Sequence, residues 1–203
     1  MRFAVVLLAL VAVCLASSCP SWKMYKQCDE EWGNAQLGSS SSQTICTAGC
    51  AMSCVAMAMA SYNEKINNAL TNPGNLNDWL INNNGYANTD LIIWSAVNGL
   101  GKVHFKEEVG SLSASSVAKF VQKCYPVIVN VRSGTHWVLI TGTTSNSDVF
   151  EVNDPYFSNT TYSLSEMSEF VVYNLSGSSV RRFRRGNQNA QDHEALIIDA
   201  EDF

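Results

Sequence analysis

The chain has 203 residues, 46% of them hydrophobic and 15% charged, with a formal net charge of -5. That apolar content excludes a wholly disordered chain, and the length fits one domain of about 100–200 residues. The acidic balance excludes a general nucleic-acid binder with a basic face, and the composition is not that of collagen, a coiled coil or a multi-span membrane protein.

Arg2 precedes an unbroken apolar run over residues 3–15, followed by the small residues Ala16, Ser17 and Ser18. This pattern is a secretory signal peptide over residues 1–18, cut after Ala16 or Ser18. As a helix the run would rise only about 20 Å, short of the roughly 30 Å hydrocarbon core. The mature protein is therefore expected to be secreted, or held in a secretory or lysosomal lumen, where disulfides are permitted. Of seven cysteines Cys14 leaves with the signal, and Cys19, Cys28, Cys46, Cys50, Cys54 and Cys124 remain. The triplets Asn159-Thr160-Thr161 and Asn174-Leu175-Ser176 are N-glycosylation acceptors on that route.

Residues 19–43 are polar and loop-like, with Trp22, Tyr25 and Trp32 as anchors that pack on something. Residues 50–62 are rich in Ala and Met and lack Gly and Pro, so a helix is predicted. It is apolar nearly all round and hence buried, with Thr47 and Gly49 at its entry. Pro73-Gly74 predicts a turn, and residues 76–81 a short helix with Leu76, Trp79 and Leu80 on one side. The run Asn82-Asn83-Asn84-Gly85 suits a left-handed helix end. Residues 90–97 are predicted helical and residues 103–105 a strand. Residues 113–123 form an amphipathic helix with Val117, Phe120 and Val121 on one face. Residues 126–131, 136–141 and 149–152 are β-branched runs separated by turn residues, and so consecutive strands. Residues 165–172 predict a short helix leading into another strand. Helices first and a largely antiparallel sheet second make an α+β domain over residues 19–180.

Residues 181–203 differ. Arg181-Arg182-Phe183-Arg184-Arg185 is a basic cluster, and residues 186–203 carry five acids and no Lys or Arg. This tail is expected to be a solvated terminus, with processing after Arg185 or an extra strand around Leu196-Ile197-Ile198 as alternatives.

Cys50 follows Gly49 and opens the most helix-like segment. A thiol there faces the partial positive charge of a helix N-terminus, which favours the nucleophilic thiolate. Ala48, Gly49 and Ala51 leave room for a substrate. The competing reading is a disulfide cysteine or a small core residue. Of three histidines, His193 lies in the acidic tail and His104 in a short surface strand. His136 starts an apolar strand just after a glycine turn, the place for a general base at a cleft. Asp154 follows the next strand, so a hairpin of 136–141 with 149–152 lands it beside His136, where it would orient the imidazole. Asn153 is the runner-up, and an ordinary Asp-Pro turn is the bland alternative.

The segments Gly49-Cys50-Ala51-Met52-Ser53, His136-Trp137-Val138-Leu139-Ile140-Thr141-Gly142 and Asn153-Asp154-Pro155 occur here in one order. With Asn72-Pro73-Gly74-Asn75-Leu76 and the early Gln27, Asp29 and Trp32, the chain resembles the bacteriocin-leader-peptidase-like (peptidase C39-like) branch of the papain superfamily. The resemblance spans residues 27–172. It implies a papain-like fold and a cysteine peptidase in which Cys50 attacks the amide carbonyl, His136 moves the proton and Asp154 orients His136. It also implies a glutamine in the oxyanion hole: Gln27 is favoured on its local pattern, and Gln43, closer to Cys50, competes. The implied partner is a peptide or protein substrate, with no cofactor, no nucleic acid, no membrane after signal removal, and a monomeric chain.

Other readings stay open. Cys46, Cys50 and Cys54 are spaced four apart, which invites zinc, but no second pair completes a site. The same fold without activity would make a secreted binding protein, and the same residues would also serve an amidase or endopeptidase on cell-wall peptides. If Cys50 is the nucleophile, at most two disulfides fit, and one further cysteine, Cys54 or Cys124, stays free as a buried thiol.

Overall fold

The computed structural model describes residues 19–175. The signal segment with Cys14, the third residue of the second glycosylation triplet, the basic cluster, the acidic tail with His193, and the segment around Leu196 all lie outside the described residues.

The first half is helical. A single-turn helix α1 (Ile45–Ala48) is capped by Thr44, which exchanges hydrogen bonds with Thr47. It leads through Gly49 into α2 (Cys50–Ser61), whose residues from Met52 to Ser61 are all buried, as the unbroken Ala and Met pattern predicts. A side chain at Gly49 would meet the Ile45 carbonyl oxygen at 2.5 Å, so glycine lets α1 and α2 abut closely and fixes where α2 begins. Two small hairpins, β1 (Lys65–Ile66) with β2 (Ala69–Leu70) and β3 (Tyr86–Ala87) with β4 (Leu91–Ile92), flank α3 (Pro73–Asn82).

Two local expectations change here. Pro73 and Gly74 are the first turn of α3 rather than a turn before it. Asn72 caps the helix reciprocally with Asn75, and proline suits the first helical position because its missing N–H would be unpaired there anyway. The 90–97 stretch splits into strand β4 and a 3-10 helix over Trp94–Gly99. Pairing of Tyr86 and Ala87 with Ile92 and Leu91 outcompetes continuous helix.

The second half builds one six-stranded antiparallel sheet in the order β5-β10-β6-β7-β8-β9. Its strands are β5 (Val103–Val109), β6 (Val127–Val131), β7 (His136–Thr143), β8 (Val149–Asn153), β9 (Thr161–Ser163) and β10 (Ser168–Leu175). Between β5 and β6 lies α4 (Ala114–Gln122), capped by Ser113. The expected hairpin exists: Leu139 pairs with Asn153 and Ile140 with Val152. Strand β9 was not foreseen, and its Tyr162 pairs with Phe150. The helix predicted near 165 is a 3-10 turn over Leu164–Glu166.

Alternation along the strands gives the sheet two apolar faces. Ile128, Leu139, Val171 and Tyr173 join the core around α2 and α3. Val127, Val129, Val138, Ile140, Phe150, Val152 and Phe170 join a second core under α4, around Val117. Helices packed on an antiparallel sheet make this an α+β fold. Among the described residues no helix is long and apolar enough to cross a membrane.

The disulfides are Cys19–Cys124 and Cys28–Cys46, which leaves Cys50 and Cys54 free among the described residues. Of the two candidates for a buried free thiol, Cys54 is the one; Cys124 is paired. Cys46 is joined to Cys28 and so cannot act as a thiolate ligand beside Cys50 and Cys54. Trp22 packs edge-on against Tyr62 and Tyr25 against Trp32, so the loop-like N-terminal segment is anchored by its aromatics.

Candidate active site

Cys50 is the first residue of α2, so its N–H lies ahead of the helical ladder and is free to face a ligand. It is half-buried and borders a cavity of about 330 Å³, open to solvent. Gln27, Thr47, Ala48, Arg132, Thr135, His136, Tyr156 and Phe157 line the rest of it. The cysteine, histidine and glutamine singled out in the sequence thus share one cavity, although 86 residues separate Cys50 from His136.

His136 is the first residue of β7 and is buried. Its Nε2 lies 2.7 Å from Asp154 Oδ1. That contact assigns the Nε2 proton to the carboxylate and leaves Nδ1 as the nitrogen available to Cys50, which borders the same cavity. Burial alone would lower the His136 pKa. The hydrogen bond to Asp154, with the nearby Asp154 and Cys50 groups favouring the charged ring, outweighs it and raises the value to about 9.

Asp154 is fully buried just beyond β8. Its Oδ1 also accepts the backbone N–H groups of Tyr156 (2.9 Å) and Phe157 (2.8 Å), and its Oδ2 accepts the Tyr162 hydroxyl at 3.0 Å. Burial pushes its pKa up, but His136 and the two backbone N–H groups reverse this and hold it below the usual carboxylate value. A buried carboxylate with four donors is satisfied and fixed in direction. The runner-up, Asn153, spends its side-chain amide on the Lys23 carbonyl at 2.9 Å, away from His136.

Gln27 is buried, and its Nε2 donates to the Cys46 carbonyl at 2.6 Å. One amide hydrogen remains, and Oε1 has no partner. The competing Gln43 accepts a hydrogen bond from the Thr47 hydroxyl and does not line the cavity. Gln27 is held from both sides. The Cys28–Cys46 bridge follows it directly, and its own N–H donates to the Pro155 carbonyl at 2.8 Å.

Several contributors were not singled out in the sequence. Lys26 donates from Nζ to the Asp154 and Phe157 carbonyls, at 2.7 and 2.6 Å, and ties the carboxylate's loop to the N-terminal segment. Phe157 meets the His136 ring edge-on at 5.1 Å, and Arg132 lies over the Phe157 ring at 4.0 Å. Only the nearness of Tyr156 and Phe157 to Asp154 hinted at their place; Lys26 and Tyr162 left no local signal. His104 is remote in role, bonded to the Gly101 carbonyl at 2.9 Å. Cys54, one helical turn below Cys50, is fully buried with its thiol on the Trp137 carbonyl. Burial above all raises its pKa well above the usual value, with Cys50 and Asp154 adding to the effect.

A family model described as "Peptidase_C39 like family" matches residues 22–179, and the chain belongs to that family. No curated protein and no solved structure matches. Membership fits the α+β, papain-like architecture and a cysteine-peptidase-like domain.

Proposed function

We propose that this member of the Peptidase_C39-like family is a secreted cysteine peptidase in which Cys50 is the nucleophile, His136 the general base and acid, Asp154 the orienting carboxylate and Gln27 an oxyanion donor. The observation that carries the reading is that the buried Asp154–His136 pair, joined by a hydrogen bond, shares one cavity with its one lining thiol, Cys50.

The chemistry comes from the chain's own groups. The Cys50 sulfur, paired with the His136 imidazolium, attacks the carbonyl carbon of a bound amide. Charge develops on the carbonyl oxygen, where the Cys50 N–H and the spare Gln27 amide hydrogen stabilise it. His136 gives its proton to the leaving amine, which departs and leaves a thioester on Cys50. Water, deprotonated by His136, then attacks the thioester, and the thiolate leaves as the acid product forms. Asp154 stays ionised throughout, because it is already saturated with donors. Fixed geometry of this kind lowers the barrier mainly by removing reorganisation.

Export is supported by the two disulfides, which suit an oxidising compartment, together with the N-terminal sequence pattern. Asn159 lies exposed beyond β8, whereas Asn174 is half-buried on β10.

The test is labelling by an electrophilic peptide probe followed by peptide mapping, alongside hydrolysis of a mixed peptide library. Label on Cys50 with thiol-dependent hydrolysis is expected, and Cys50→Ala should lose both. Label on Cys50 without any hydrolysis would instead mark a binding protein on a retired catalytic frame.

A further inference from the structure

We infer that the cavity takes peptides bearing a carboxylate on the leaving-group side of the scissile bond, and that Arg132 selects them; this rests on the peptidase reading of the same cavity. Arg132 is the one permanent cation among the lining residues, and none of them is an acid. Among the described residues no carboxylate forms an ion pair with it. Glu166 feels its charge, but that carboxylate is held at Oε2 by the Ser163 N–H and hydroxyl, at 2.9 and 2.6 Å, and does not line the cavity.

The guanidinium is also held in place. It lies over the Phe157 ring, and its charge acts on the Tyr162 hydroxyl, which donates to Asp154. Phe157 is itself pinned by Lys26 at its carbonyl and by Asp154 at its N–H. A stacked guanidinium keeps its edge N–H donors outward in a plane, the geometry that matches a carboxylate. The turn that presents it is unusual: Arg132, Ser133 and Gly134 are successive left-handed residues, at φ 55°, 57° and 88°. Two side-chain-bearing residues in that region are unfavourable, and the turn sits at the cavity wall.

Position fixes which part of the substrate Arg132 meets. His136 must reach the leaving amine; Thr135 precedes it in the chain, Phe157 packs against its ring, and Arg132 lies over Phe157. Gln27, Thr47 and Ala48 border Cys50, where the acyl half and its oxygen belong. Arg132 therefore faces the substrate residues on the C-terminal side of the cut bond. The carboxylate has two sources, an acidic side chain there or the peptide's own C-terminus a short distance on.

The experiment titrates Cys50→Ala protein with an acetylated Ala-Gly octapeptide in which Glu or Gln is scanned through the sequence, each with a free or amidated C-terminus. Affinities are read by calorimetry. Peptides with a carboxylate should bind about tenfold more tightly than their neutral partners, the order expected for a charge-assisted hydrogen bond in a half-open site. A gain on Glu identifies the side chain as source, and a gain on the free terminus identifies the chain end. The gain should shrink at about 0.5 M salt and vanish in Cys50→Ala/Arg132→Gln. Arg132→Lys, which keeps the charge and loses the stacked fork, should fall between and serves if the glutamine variant does not fold. Equal affinities, a preference that survives Arg132→Gln, or no binding by any peptide would overturn the inference. The peptidase reading stands or falls separately on Cys50 labelling in the unsubstituted protein.

Discussion

The two faces of the six-stranded sheet solve different problems. One lies against α2, a helix with ten consecutive buried residues and little polar surface of its own. The other lies under α4, an amphipathic helix with a single fully buried residue, Val117. The nucleophile candidate rides on α2. His136 and Asp154 instead continue the rows of Val138 and Ile140, and of Phe150 and Val152, which belong to the α4 face. The cavity therefore forms where the helix of one core passes the strand ends of the other, and neither core contains it alone. A site built this way depends on how the two halves are held, while each half can be perturbed separately.

The largest effect is expected on the sheet side of the cavity, at the His136–Asp154 pair. Asp154→Asn keeps the shape but offers the wrong hydrogen-bonding group to His136, so kcat/KM should fall by about 10³–10⁴-fold with the protein still folded. Activity within tenfold of the parent would remove Asp154 from the mechanism. Next in size are the disulfides. Cys19–Cys124 spans a sequence separation of 105 and fastens the segment before Trp22 to the turn after α4. Replacing that pair with alanines should cost about 4–5 kcal/mol of stability in urea unfolding and leave kcat unchanged. Cys28–Cys46, with a separation of 18, lies directly behind Gln27. Its removal should cost less, about 3 kcal/mol, yet slow turnover, because the amide donor loses its anchor. If both pairs affect only stability, the α2 side has no special role.

Val117→Ala probes the α4 core by itself. It should cost about 2–3 kcal/mol while the rate of Cys50 alkylation stays at the parent value. The mildest effect is on pH dependence. The His136 pKa is raised in the folded state, so its stabilising contribution is complete below the ordinary value of about 6.5 and is lost as pH rises through about 9. Asp154 is lowered, so its contribution is present above the ordinary carboxyl range and lost on acidification. Stability curves of the parent and His136→Ala should lie furthest apart between those limits and converge above pH 9. The alkaline limb of kcat should fall in the same region, where the imidazolium that protonates the leaving amine disappears.

Much of this was readable from the residues. α2 was legible because an uninterrupted Ala and Met run has one stable form when buried. The β7–β8 hairpin was legible from β-branched runs of strand length. Because Cys50, His136 and Asp154 stand at the ends of these elements, locating the elements located the residues. The 90–97 stretch was misread because its short strand is decided by a partner, Tyr86–Ala87, rather than by its own pattern. Strand β9 was missed because three residues are too few to show alternation.

The sequence by itself determined the α+β class, the segment carrying each candidate site side chain, and the limit of two disulfides if Cys50 is kept free. Those properties depend on local composition and on counting. Tertiary structure alone decided that Cys54 rather than Cys124 stays unpaired, that Gln27 rather than Gln43 reaches the cavity, and that Lys26, Tyr162 and Arg132 surround the His136–Asp154 pair. Each is a contact between segments far apart along the chain, fixed by how two cores meet, and no short-range pattern carries that information.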